Sequence, residues 1–361
     1  LVGTGVTIGI AGIATFRKGK IDVGDAQFNT SVGQDASMAL STGNSNVAVG
    51  YRASKAISTG VQNVSLGKEA LYTASTHNNN VAIGNAALYT AESHGSVAVG
   101  SNALRLNTTG SGNVAVGYEG LEANTTGSQN TTLGYQSLYT NTTASYNTAA
   151  GYQALYANTT GTENAAFGRT ALDSNTTGSY NVALGSGALH GNTTGANNIA
   201  VGQAALDANT TANDNTAVGY YSLSANTTGG DNTAVGSGAL DANTTESNMT
   251  AVGYRALGAA NGSSASSAFG ANALLACTTG NYNNAFGESS LNSVTTGASN
   301  CAFGGSALRE TTTADNNSAF GESALRANTT GAQNTAFGNV ALTANTEGDY
   351  NTAVGSAALD S

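Results

Sequence analysis

The chain has 361 residues, 48 of them glycine, with neither proline nor tryptophan and a formal net charge of −10 from 21 acidic and 11 basic side chains. That charge repels phosphate backbones and Lys and Arg form no cluster, which argues against a nucleic-acid partner. Two cysteines are too few for a disulfide framework or a zinc site.

Residues 1–28 read as a lead-in. The first sixteen, LVGTGVTIGIAGIATF, are apolar, but their glycines, their short length and the following Arg17, Lys18 and Lys20 argue against a membrane span. Val2, Thr4, Val6, Ile8 and Ile10 alternate with small residues, which predicts a strand. The chain begins without Met and shows no signal peptide, which points to a piece of a longer protein.

Residues 29–361 are periodic. Gly33, Gly50, Gly67, Gly84 and Gly100 begin a series that continues every seventeenth residue to Gly355, with one 16-residue step between Gly84 and Gly100. A period of this length predicts an all-β parallel β-roll, or β-solenoid, of about twenty 17-residue coils in one domain. At about 4.8 Å per coil the rod is about 95 Å long.

Within one coil, as in Asn334-Thr335-Ala336-Phe337-Gly338, β-branched or aromatic residues alternate with small ones and predict a short strand. Residues one and three before the glycine share a face, and the alanine two before it shares the other. The bulky face is expected to form the core. On that expectation Phe269, Phe286, Phe303, Phe320 and Phe337, in five consecutive coils, stack as a core ladder. The Ala column, occupied in seventeen of twenty coils, then leaves a smooth outer face where another backbone packs. Leu recurs four residues after the glycine from Leu71 to Leu359, predicting a second core column on a second short strand. Asn stands four before the glycine in seventeen coils and is expected to form an amide ladder. The Asn-Thr-Thr-Gly turns, such as residues 107–110 and 226–229, suit positive φ. A proline anywhere would delete a ladder donor. With about four inward side chains per coil, such a roll depends on stacking and on partner chains.

The strings Asn113-Val114-Ala115-Val116-Gly117, Ser96-Val97-Ala98-Val99-Gly100 and Asn80-Val81-Ala82-Ile83-Gly84, each followed by x-x-Ala, resemble the signature of YadA-like trimeric autotransporter adhesin heads. That resemblance covers residues 29–361 and implies a left-handed roll with three chains about one axis. The family's repeat is shorter, so the turns here must be longer. The Asn-Thr-Thr-Gly versions look like repeats in bacteriophage tail fibres, and Gly12-Ile13-Ala14-Thr15-Phe16 with Ile21-Asp22-Val23-Gly24 is similar to linker phrases in cyanophage fibres. The resemblance therefore implies a homotrimeric fibre in the virion, assembled with other tail proteins and contributing to contact with a host receptor or glycan. A bacterial surface adhesin head is the close alternative.

Little in the repeat points to chemistry. Neither a Ser-His-Asp nor a paired-carboxylate constellation stands out, so no enzyme activity, cofactor or metal is expected. Tyr118, Tyr135, Tyr139, Tyr152 and Tyr156 form the best aromatic patch, a candidate surface for stacking on sugars or contacting a receptor; the plain reading is strand residues chosen for β-propensity. His77 and His94 share a turn phase in neighbouring coils, about 5 Å apart, but lack the ligands to complete a metal site; His190 reads as isolated. Cys277 and Cys301 lie at different phases and read as free thiols. Stacked Thr143, Thr160, Thr177, Thr194 and Thr211 suggest ice binding as a distant alternative, although they sit in turns rather than on a flat strand face.

Overall fold

The computed structural model describes residues 27–360, so the strand expected over residues 2–10 lies outside the described residues. Twenty three-residue strands, from β1 (Thr30–Val32) to β20 (Thr352–Val354), follow one another. Each pairs in parallel and in register with the next. The chain is thus a parallel β-solenoid. Hydrogen bonding between coils continues outside the strands: the Leu155 N–H donates to the Ala171 carbonyl at 2.9 Å and the Thr159 N–H to the Thr176 carbonyl at 2.9 Å. Because donors all round the coil are used this way, proline finds no place in it.

The 16-residue step does not disturb the sheet. β4 (Val81–Ile83) and β5 (Val97–Val99) still pair Val81 with Val97. The missing residue is taken out of the turn at residues 91–96, where the Ser93 carbonyl accepts from Asn80 Nδ2 at 2.8 Å.

The strand faces are the reverse of those expected. The alanines two before the glycine are 0% exposed from Ala48 to Ala336, whereas the flanking residues of each strand point outward and are half-buried or exposed. Phe269, Phe286, Phe303, Phe320 and Phe337 do stack, with centroids 4.7, 4.4, 5.2 and 5.9 Å apart, but on the outside: Phe303 is 39% and Phe337 59% exposed. The cause is the space inside a narrow coil. The Leu column fills it, with leucines such as Leu155 and Leu206 at 0% exposure, and leaves room for only a methyl group across from it.

Departures from the repeat show how tight this interior is. Where Thr132 replaces the inward Ala, Gly120 stands in place of the Ala after the preceding glycine; a Cβ on Gly120 would lie 3.2 Å from Thr132 Oγ1. Where Ser65 replaces it, Ser54 takes the Leu position and the two hydroxyls bond at 2.6 Å. At Thr132 volume is exchanged with the neighbouring coil while its buried Oγ1 is left without a hydrogen-bond partner; at Ser65 the polar group is paired instead.

Two further expectations are corrected. The leucines sit in turns rather than on a second strand, at positive φ (Leu155, 55°), which carries the chain sharply round after each glycine. The Asn-Thr-Thr-Gly turn contains no positive φ: neither Asn107 nor Gly110 adopts one. Its asparagine is instead an inward ladder residue, and its glycine fits a close approach, because a Cβ on Gly110 would lie 2.7 Å from Asn107 Oδ1; coils with Ala144, Ala212 or Ala314 at this phase show that the turn adjusts to a side chain. The phase glycines need both freedoms: Gly151 has φ 142°, and its Cβ would meet the Gly168 carbonyl carbon at 2.6 Å.

The expected Asn ladder is present, and a second one accompanies it. Asn164 Nδ2 donates to Asn147 Oδ1 at 3.2 Å and to the Gly178 carbonyl at 2.9 Å. The turn asparagines repeat the pattern, with Asn175 Nδ2 donating to Asn158 Oδ1 at 2.9 Å. Both columns are buried, so these amides satisfy one another and the turn carbonyls where water cannot reach.

Candidate functional site

With Ala, Leu and Asn turned inward, recognition falls to the outer columns. The first is the outward face of the strands. The residues one and three before the glycine include no charged side chain in any of the twenty strands; the column one before it is apolar throughout, while the column three before it is apolar in nine strands and Thr, Ser or Asn in eleven. Val32, Leu66, Leu133, Leu184, Ile199 and Phe337 are all exposed on this stripe. Sequence reasoning found both columns and turned them the wrong way, because alternation reports which residues share a face but not which face is inside.

The tyrosine patch is brought together as two ladders. Tyr118, Tyr135 and Tyr152 stack with centroids 5.3 and 5.4 Å apart and ring planes within 13°, and Tyr139 stacks on Tyr156 at 5.3 Å. A polar ladder runs beside them: Gln136 Nε2 donates to Glu119 Oε2 at 2.8 Å and Gln153 Nε2 to Gln136 Oε1 at 3.0 Å. Desolvation pushes the Glu119 carboxyl up, but hydrogen bonds from Gln136, Tyr118 and Asn102 outweigh it and hold the group below its usual value. The hydrogen bond to Glu119, and then its charge, raise the Tyr118 phenol; the charge of Glu122 raises Tyr139. Two carboxylates, Glu119 and Glu122, thus stand beside the Tyr118 and Tyr139 hydroxyls. Tyr135 has both faces covered by its neighbours, whereas Tyr118, Tyr152, Tyr139 and Tyr156 each stack on one side, so within the ladders a ligand meets mostly edges and hydroxyls.

Another tyrosine column was missed. Tyr146, Tyr180, Tyr282 and Tyr350 stand five residues before the glycine at φ 65°, 62°, 59° and 59°, all exposed. Aligning the repeats on the glycine would have placed them at one phase.

The histidines split. His77 and His94 have ring centroids 5.0 Å apart, close to the expected separation, and His94 Nδ1 accepts from the Asn78 N–H at 3.1 Å. Burial, then the neighbouring His94, lower the His77 pKa. Among the described residues no group of three or more His, Cys, Asp or Glu side chains is arranged to hold a metal ion. His190 is not isolated: Nε2 lies 3.5 Å from Asp173 Oδ1 and Nδ1 3.8 Å from Asp207 Oδ1, a three-coil stack invisible without the phase alignment. Burial raises the Asp173 carboxyl against the opposing pull of His190.

Both cysteines are free thiols. Cys277 occupies the interior turn-Asn column, and Cys301 lies on the outward face of β17 (Cys301–Phe303). The second threonines of the turns, including Thr143, Thr160, Thr177, Thr194 and Thr211, are exposed. They make a single row, because the first threonines use their hydroxyls on the next coil, as Thr159 Oγ1 does to the Thr176 carbonyl at 2.9 Å.

Fold and surface together define a β-solenoid whose described surface is organised in ladders along its axis. Comparison with protein-family models, with curated proteins and with solved structures gives no match.

Proposed function

We propose that the chain is a shaft segment of a trimeric bacteriophage tail fibre, part of the virion, which joins other tail proteins and carries or contributes to contacts with a host receptor or glycan. The observation that supports this best is the uncharged outward stripe of the strands. Monomeric soluble proteins rarely leave an apolar patch of more than a few hundred Å² exposed. A stripe about 95 Å long and about 7 Å wide covers on the order of 650 Å² before side-chain relief is counted. It is uncharged throughout and apolar along the column just before the glycine, and its area is of the order that one chain buries in a specific interface and that a trimer would divide between two neighbours. Three copies packed stripe to stripe about a common axis would cover it. The Phe269 to Phe337 ladder would then lie at the interface and return to the core role expected of it, but between chains rather than within one. The role is mechanical and multivalent, with no catalysis and no cofactor. The Val-Ala-Val-Gly phrases fit a bacterial adhesin head equally well; the Asn-Thr-Thr-Gly turns and the lead-in phrases favour the fibre.

Light scattering on the full chain should give the mass of three copies. Cys301, on the stripe, should resist maleimide in that assembly and react once it is dissociated, while Cys277 reacts only on unfolding. Burial raises both thiols, so labelling is to be compared at one pH against the unfolded protein. A monodisperse monomer with freely reacting Cys301 would refute the trimer. Binding to candidate host cells as tight as that of a longer natural protein would replace the shaft role with that of a tip.

A further inference from the structure

The column just after the phase glycine holds Tyr220, Ser237 and Tyr254 in three successive coils. In the same column Tyr118, Tyr135 and Tyr152 occupy every rung and cover one another's faces. Here the middle rung is missing. Two strand spacings, roughly 9.6 Å, separate the levels of Tyr220 and Tyr254. Subtracting half the thickness of each ring leaves roughly 6 Å, more than the roughly 3.5 Å that one flat aromatic ring needs.

The space is open and has a polar wall. A groove of about 260 Å³ lies between the two tyrosines over Ser237 and Gly238, bordered by Asp241 and Arg255. Gly238 keeps it clear: at φ 66° it carries no side chain, and a Cβ there would lie 3.4 Å from Arg255 Cγ and 3.6 Å from Asp241 Oδ2. Tyr220 and Tyr254 are 54% and 56% exposed. Tyr221 braces Tyr220 edge-on, with centroids 4.5 Å apart at 67°. Burial raises the Asp241 carboxyl, partly offset by the charge of Arg255.

We propose that this vacated rung is a saccharide-binding slot, in which a pyranose ring lies between Tyr220 and Tyr254 with its hydroxyls donating to Asp241 and accepting from Arg255. Three features favour a sugar over a planar heterocycle. The gap suits a puckered ring better than a flat one. Aromatic faces match the C–H face of a pyranose, and a carboxylate next to a guanidinium matches the mixed donor and acceptor edge of vicinal hydroxyls. The column contains no other pair of tyrosines flanking a single small residue. The slot stands on its own geometry and would belong to a fibre, an adhesin or any other solenoid.

The test is saturation-transfer NMR on the full chain with methyl β-D-glucopyranoside, methyl β-D-galactopyranoside, methyl α-D-mannopyranoside and, as the planar control, adenosine. At least one glycoside should show transfer to its ring C–H protons. Ser237→Tyr restores the missing rung with a residue that other coils carry at this phase, so it should keep the melting temperature and abolish the transfer. Ser237→Ala should retain it. Tyr254→Ala, a change at an exposed side chain, should weaken binding about tenfold, the loss of one aromatic stack. The proposal is overturned if no glycoside binds the wild type, if adenosine alone binds, if transfer survives S237Y, or if Y254A leaves the affinity unchanged.

Discussion

Ala217→Phe and Val218→Phe place the same ring at adjacent positions of β12 (Thr216–Val218), and they should have opposite outcomes. Ala217 is 0% exposed and lies in register between Ala200 and Ala234, with the Leu column opposite. A ring has nowhere to go inside without spreading neighbouring coils. Inserting even single methylenes into a packed core costs about 1–3 kcal/mol, so a whole ring should cost at least about 3 kcal/mol. Since each coil contacts only its neighbours, such a defect also divides the array in two. Val218 points outward, at the phase that Phe already occupies in six coils, and its substitution should stay within about 1 kcal/mol. Urea unfolding followed by far-ultraviolet circular dichroism measures both. If the two variants unfold together, or Val218→Phe is the more damaging, the assignment of strand faces is wrong.

Two other outcomes follow from the interior and the groove. Asn175→Ala removes a donor to Asn158 Oδ1 and the acceptor for Asn192 Nδ2, which it meets at 2.8 Å; leaving buried amide groups unpaired should cost about 2–4 kcal/mol, and a loss under about 1 kcal/mol in urea unfolding would show that the ladder carries little stability. Asp241, whose carboxyl burial holds above its usual value, gives a pH signature: with the folded pKa above the unfolded one, the protonated form favours folding, a contribution present at low pH and lost as pH rises through the folded value. Asp241→Asn should therefore be more stable than wild type at pH 7, with the gap closing as the pH falls to the ordinary carboxylate range, and thermal melts showing a gap that widens towards low pH would contradict this.

The turn-Asn column tests the same logic within the native protein. Across Ala260, Cys277, Val294 and Thr311 the asparagines are replaced in consecutive coils. Replacing whole neighbours removes donors and acceptors together, which costs far less than orphaning one of them. At the edge of this block Asn243 Oδ1 is left without a hydrogen-bond partner, as expected of the last amide before an apolar run.

The sequence by itself determined the period, the number of coils, the parallel in-register stacking, the Leu and Asn columns and the single-phase aromatic ladders. All of these follow from translation by one coil, which brings identical residues side by side whatever the details of the turn. The tertiary structure alone decided which face of each strand is inside, because alternation is symmetric between two faces and only the volume left beside the Leu column breaks that symmetry. It also decided where positive φ falls: on Leu155 and its equivalents rather than in the Asn-Thr-Thr-Gly turn, since a leucine at positive φ runs against its intrinsic preference and is held there by packing. The slot at Ser237 depends on both levels. The sequence shows a small residue between two tyrosines, but its depth, the clearance over Gly238 and the carboxylate and guanidinium at its edge exist only once three coils are stacked.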